Sequence, residues 1–167
     1  MQYEQIGTDQ FFWLHRAGVP LDVLTSLMPL RFAMGRRAND GIFEDDQGGN
    51  AFLVFEEPED TIFWQPKTGT LASALNRAFA LGEDVIYNAG TYSFGGHLSI
   101  YNSPLDWLRN RCDGCVVVHW NRAFDRLRDA PRIAISAELL PVYRRHMRPA
   151  RLPVLSVIVA DGEAAAA

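Results

Sequence analysis

The chain has no apolar run near the roughly 20 residues that a bilayer span requires. Its first residues, MQYEQIGTDQ, carry neither the basic start nor the apolar stretch of a secretion signal. A cytoplasmic protein without a membrane segment is the expectation. Cysteine is scarce, with only Cys112 and Cys115, and two thiols in that setting exclude a disulfide framework as the source of stability. Lysine is scarcer still: Lys67 is the only one. Positive charge therefore falls to arginine, which GC-rich coding favours and which makes planar, bidentate contacts. No GxSxG, GxxxxGKS or GxGxxG occurs, and His15, His97, His119 and His146 form no HxH, HExxH or HxxxH pair. These gaps remove the nucleophile elbow, the phosphate loop, the dinucleotide fingerprint and the common zinc-protease motif.

What is present describes an ordinary globular chain. Of 167 residues, 48% are apolar and 22% charged, with Phe 10, Tyr 5 and Trp 4, a composition that builds a core and argues against disorder. One domain over residues 1–163 is expected, with the alanines at 164–167 as a frayed or appended tail. The net charge of −4 is unevenly spread. Residues 1–60 hold four Arg against eleven acids, whereas residues 109–167 hold ten Arg against six.

Two short helices open the chain. Residues 8–17, TDQFFWLHRA, have Thr8 or Asp9 as a cap and Gly18 as a stop. Residues 20–28, PLDVLTSLM, place Pro20 in the first turn and Leu21, Leu24 and Met28 on one face, with Pro29 beyond. The pair reads as a helical hairpin packed on a sheet rather than a DNA-reading helix-turn-helix, because no basic second helix follows. Residues 41–57 predict a β-hairpin turning at Asp46–Asn50, and residues 60–74 a second turning at Pro66–Gly69. LASALNRAFALGE (71–83) predicts a helix with Leu75, Ala78 and Phe79 inward. DVIYNAG (84–90) predicts a strand, TYSFGG (91–96) a loop and HLSIYN (97–102) a strand.

From Ser103 the rhythm alternates. SPLDWLRNRCDG predicts a helix capped by Ser103, with Pro104 first and Trp107 and Leu108 inward. CVVVHW (115–120) is the β-branched run of a buried strand. Helix, strand and helix follow at 121–129, 132–136 and 137–147, and a last strand at 152–160. The fold class is therefore α+β: N-terminal helices and β-hairpins followed by a small alternating β/α layer.

CDGCVVVH (112–119) is the stretch that most resembles chemistry. A redox pair needs its first cysteine at a helix N-terminus after a strand, and here the order is reversed. Cys112 instead follows a helix, whose dipole raises a thiol pKa. For zinc, Cys115 and His119 share a strand face but stand about 13 Å apart at ~3.3 Å per residue, and a lone CxxC lacks its other two ligands. Buried structural thiols, with no metal and no cofactor, are the expectation, Cys115 packing beside Val117.

The acidic groups at 44–46 and 56–60 flank turns and read as solvated loop charge. A small enzyme is the alternative reading, its pocket near residues 91–97 drawing on Glu56, Glu57, His97 and Cys112. Arg144, Arg145, Arg148 and Arg151 make the densest basic segment. It reads as a solubilising or protein-binding face, with nucleic-acid contact as the competing reading.

IFWQPKTGTLAS, NRAFALGE and, above all, SPLDWLRNRCDGCVVV resemble segments of uncharacterised small proteins of bacterial prophages and other mobile elements, over residues 62–120. The resemblance implies an accessory protein of a mobile element and carries no catalytic residue with it. Without a complete catalytic constellation, the residues favour a non-enzymatic protein that binds another macromolecule, most simply a protein. The sequence sets no oligomeric state.

Overall fold

The computed structural model describes residues 3–28 and 30–149. β1 (Glu4–Gln5), α1 (Thr8–Arg16) and α2 (Leu21–Ser26) lead into the strands β2 (Arg31–Arg37), β3 (Phe43–Asp45), β4 (Asn50–Glu57), β5 (Asp60–Gln65) and β6 (Thr70–Ser73). These strands form one antiparallel sheet in the order β1-β2-β4-β5-β6, with β3 on the outer side of β2. The sheet curls until Ile42, just before β3, bridges Ser73 at the end of β6.

Alternation along the strands fills two cores. Phe52 and Val54 of β4 and Phe63 of β5 turn inside the curl with Ala33, Phe43 and Ala72. Phe43 stacks on Phe63 at 3.9 Å between ring centroids and meets Phe52 edge-on at 5.3 Å. Leu53, Phe55, Ile62 and Trp64 point the other way and pack under Leu14 of α1 and Val23 and Leu24 of α2. The N-terminal helices are thus a hairpin packed on a sheet. α1 is capped by Gly7 rather than Thr8 or Asp9, and Gly18 follows its end at φ 95°. In α2 the inward residues are Val23 and Leu24; Leu21 and Met28 are exposed, contrary to the sequence pattern, and Met28 lies beyond the helix, which ends at Ser26.

The hairpin expected at Asp46–Asn50 is a different device. β3 and β4 do not pair with each other; both pair with β2, on its two sides, and meet it at Gly35. The Asp46–Gly49 turn carries the chain across β2. A side chain at Gly35 would lie 2.3 Å from the Phe43 ring, and one at Gly49 would lie 2.4 Å from the Gly35 carbonyl. The second expected hairpin, β5–β6 around Pro66–Gly69, is present with Phe63 opposite Ala72.

The helix expected over 71–83 is absent. Its first residues belong to β6, Asn76 takes a left-handed backbone at φ 54°, and β7 (Ala80–Leu81) follows. Asp60 explains this. Its buried carboxylate accepts N–H groups from Thr61 (2.8 Å), Leu75 (2.9 Å), Arg77 (2.7 Å) and Ala78 (3.1 Å), which satisfies the loop backbone better than an exposed helix turn would. Ala78 and Phe79 are buried as expected, whereas Leu75 is exposed. The strand expected at 84–90 is instead α3 (Asp84–Tyr87), one turn that buries Ile86.

β8 (Leu98–Ile100), α4 (Pro104–Arg109), β9 (Val116–Val117), α5 (Ala123–Leu127), β10 (Ile133–Ile135) and α6 (Leu140–His146) realise the alternating layer. Ser103 caps α4 by accepting the Asp106 N–H at 3.2 Å. β8 pairs with β10 in parallel, Cys115 bridges Ile100, and β7 pairs with β9. These short ladders align as β7-β9-β8-β10 over a core of Phe79, Leu98, Ile100, Cys115, Ala123 and Leu127. Trp107, Leu108 and Val117 are buried, as the sequence implies. The strand expected at 152–160 lies outside the described residues. Among those residues no helix is long and apolar enough to cross a membrane.

Candidate interaction surface

The 88–97 segment is pinned from several sides. The Asn88 side chain accepts the Gly90 N–H at 2.8 Å. The Thr91 hydroxyl donates to the Val85 carbonyl at 2.7 Å and the Tyr92 hydroxyl to the Ile86 carbonyl at 2.8 Å. Arg132, beside β10, holds the far end: its guanidinium donates to the Gly96 carbonyl at 2.8 Å and to the Tyr92 carbonyl. The backbone crowds at Gly96, where a Cβ would stand 2.4 Å from the Thr91 carbonyl oxygen.

Phe94 sits at the tip of this clamped loop, with φ 50° and ψ 32° and its ring fully exposed at 110%. Left-handed backbone costs a residue with a side chain about 1–2 kcal/mol. Leaving a phenyl ring in water forgoes a further ~1.5–3 kcal/mol of burial. Both costs fall on one residue, in a loop whose surroundings are built to keep it there.

A hollow of about 310 Å³ opens beside the loop, walled by Ile86, Tyr87, Tyr92, Ala130 and Pro131 and edged by Asp125, Arg126 and Asp129. Arg126 and Tyr87 also line a second cleft of about 270 Å³ with Glu57, Glu59, Glu83 and Asp84. Arg126 pairs with Glu83 at 3.4 Å and donates to the Tyr87 hydroxyl at 3.3 Å. Glu57 in turn borders a third cleft, of about 320 Å³, between the loop after α2 and Trp107. Burial raises the Glu57 pKa against the Gly82 N–H, which donates to it at 2.7 Å, and the charges of Asp84 and Glu83 raise it further.

The four residues of the enzyme reading are not gathered. Glu56 is on the surface in an ion pair with Arg31 at 3.2 Å. His97 is exposed ahead of β8. Cys112 is half-buried against the core that holds Trp107, and burial pushes its thiol up to about 11. Neither His97 nor Cys112 borders any of these three clefts. Cys115 is fully buried in the other core, its thiol pushed up to about 12 by burial and then by Glu83 and Glu57. The two thiols thus serve different cores. Among the described residues no three His, Cys, Asp or Glu side chains stand close enough to hold a metal.

His119 has a buried, unpartnered Nε2, and burial followed by the charge of Arg122 lowers its pKa. Arg144 and Arg145 on α6 and Arg148 beyond it are exposed, and none makes an ion pair among the described residues. Arg151 lies outside the described residues. In the acidic groups, Glu44 pairs with Arg36 at 2.7 Å across β2 and β3, whereas Asp60 is a buried anchor that the loop-charge reading missed. Phe94 also escaped that reading. The only trace of it is an aromatic residue set between Ser93 and two glycines, outside any apolar period. No family model matches the chain, and comparison with curated proteins and solved structures finds none similar to it.

Proposed function

We propose that the protein is a non-enzymatic binding protein of the cytoplasm, that its partner is a protein, and that the Phe94 loop is where they meet. The observation that carries this reading is a strained, fully exposed aromatic ring held by a clamp of side-chain hydrogen bonds. Interfaces concentrate their energy in a few aromatic and arginine anchors, and a pre-ordered anchor loses little freedom on binding. The resemblance over residues 62–120 supports an accessory role encoded by a mobile element.

The test is affinity capture from the native host with wild-type and Phe94→Asp protein, read by quantitative mass spectrometry. A protein enriched by the wild type and lost with Phe94→Asp supports the reading. Equal enrichment by both overturns it, as does no enrichment by either in a chain that also shows no Phe94-dependent self-association. The competing reading makes its own demand: duplex or single-stranded DNA bound more tightly than about 10 μM at physiological salt, beyond ordinary non-specific contact. If that binding disappeared when Arg144, Arg145, Arg148 and Arg151 became alanine, the basic segment would replace the Phe94 loop as the site.

A further inference from the structure

We infer that the protein docked at this loop is a second copy of the chain, with Phe94 of each copy seated in the hollow beside Tyr92 of the other about a two-fold axis. This rests on the protein-binding reading and names its partner. Knob and hollow are neighbours in the fold. Tyr92 walls the hollow and stands two residues before Phe94, and Pro131 walls it next to Arg132, the residue that clamps the loop. A foreign partner would need only one half of such a contact. A two-fold interface needs both halves on the same chain, because every contact is made twice.

The chemistry is complementary as well as the shape. At about 310 Å³ the hollow has room for one phenyl ring, and Tyr87, Tyr92 and Pro131 offer it ring edges and apolar walls. Asp125, which makes no ion pair among the described residues, edges the hollow beside Arg126, paired with Glu83, and Asp129, paired with Arg128, whereas Arg132 flanks the knob and carries no carboxylate partner among those residues. Docked about a two-fold axis, Asp125 of one copy faces Arg132 of the other. One ring per copy makes a small interface, so the dimer is a weak one, with a dissociation constant on the order of 10–100 μM.

Sedimentation velocity from about 5 to about 500 μM, a span around that affinity, tests this on the full chain. The expected result is a concentration-dependent monomer–dimer equilibrium whose dissociation constant rises at least about tenfold, 1.4 kcal/mol, in Phe94→Asp and in Asp125→Arg. Both positions are exposed, and circular dichroism checks that each variant keeps the wild-type fold. A chain that stays monomeric over the whole range, or a dimer indifferent to both substitutions, overturns the inference. Monomeric wild-type protein that still captures a host protein through Phe94 would leave the binding reading standing and remove only the second copy as partner. Monomeric protein with no Phe94-dependent capture would remove both.

Discussion

The curled sheet and the β/α layer satisfy their backbones by opposite means. In the sheet, strands of up to eight residues pair over long registers, and aromatic rings fill both faces. In the layer, strands of two or three residues pair briefly, and side chains do what ladders do elsewhere: Asn88, Thr91, Tyr92 and Arg132 hold the loop, and Ser103 holds a helix end. Long ladders bury their chain and leave little of it to present. Short ladders with side-chain clamps can fix an exposed group in a chosen place. On the binding reading proposed above, the difference assigns stability mainly to the first region and recognition to the second.

Removing a ring from the sheet tests this most severely. Phe63 is fully buried and stacked on Phe43. Phe63→Ala is expected to cost about 3–5 kcal/mol, the sum of lost transfer energy and a cavity that the stacked neighbours cannot close. Urea unfolding measures it, and a loss under 1 kcal/mol would show that the curl does not carry the fold's stability.

Asp60 joins the two regions, so its removal sharpens the comparison. Its carboxylate ends the hairpin of β4 and β5 and gathers the loop that leads to β7. Burial alone would raise its pKa, but four N–H donors outweigh burial and hold it below the ordinary carboxylate value. A lowered folded pKa means that the stabilisation is complete above the unfolded value of about 3.9 and is lost as pH falls through the folded one. Asp60→Asn turns an amide NH₂ toward two N–H donors and is expected to cost about 2–4 kcal/mol at neutral pH. The variant should also lose part of the wild-type fall in stability below about pH 4, as paired melts from pH 2 to 7 would show. An unchanged acid slope would assign that slope to other carboxylates.

The thiols give a smaller effect within the layer. Cys115→Ser places a hydroxyl in an apolar core and is expected to cost about 1–3 kcal/mol. Cys115 should also resist a thiol reagent at pH 8 until the protein unfolds, because burial holds it protonated, while half-buried Cys112 reacts first, though slowly. Equal, rapid labelling of both would mean that the layer opens far more readily than its packing implies.

How legible these features were in the sequence follows the same division. WQPKTGT announces the β5–β6 turn, and Ser103 before Pro104 announces α4, because each depends on neighbours in the chain. The crossing over Gly35 was read as a simple hairpin, since the signal for a turn at Asp46–Asn50 does not say which strand each arm will pair with. LASALNRAFALGE has helical spacing and still forms no helix. The competing partner, Asp60, acts across 15 to 18 residues, beyond the reach of local periodicity. The basic segment was visible as charge. Phe94 was not visible as a candidate, because what distinguishes it is conformation and exposure rather than residue type.

The last and smallest effect on stability separates recognition from folding at that residue. Phe94→Gly removes a ring that touches water and places at φ 50° the one residue that accepts such a backbone freely. Relief of left-handed strain favours the variant by about 1–2 kcal/mol. The larger entropy of a glycine in the unfolded chain opposes it by roughly 0.5–1 kcal/mol. The net change is expected to lie between about zero and about 1.5 kcal/mol in favour of glycine, which thermal melts resolve. Association should nonetheless weaken as it does in Phe94→Asp, since both variants lack the ring. A stability gain coupled to loss of binding is the signature of a residue kept for recognition. A loss above about 1 kcal/mol would instead make Phe94 a packing residue of the loop, contrary to the exposure of its ring.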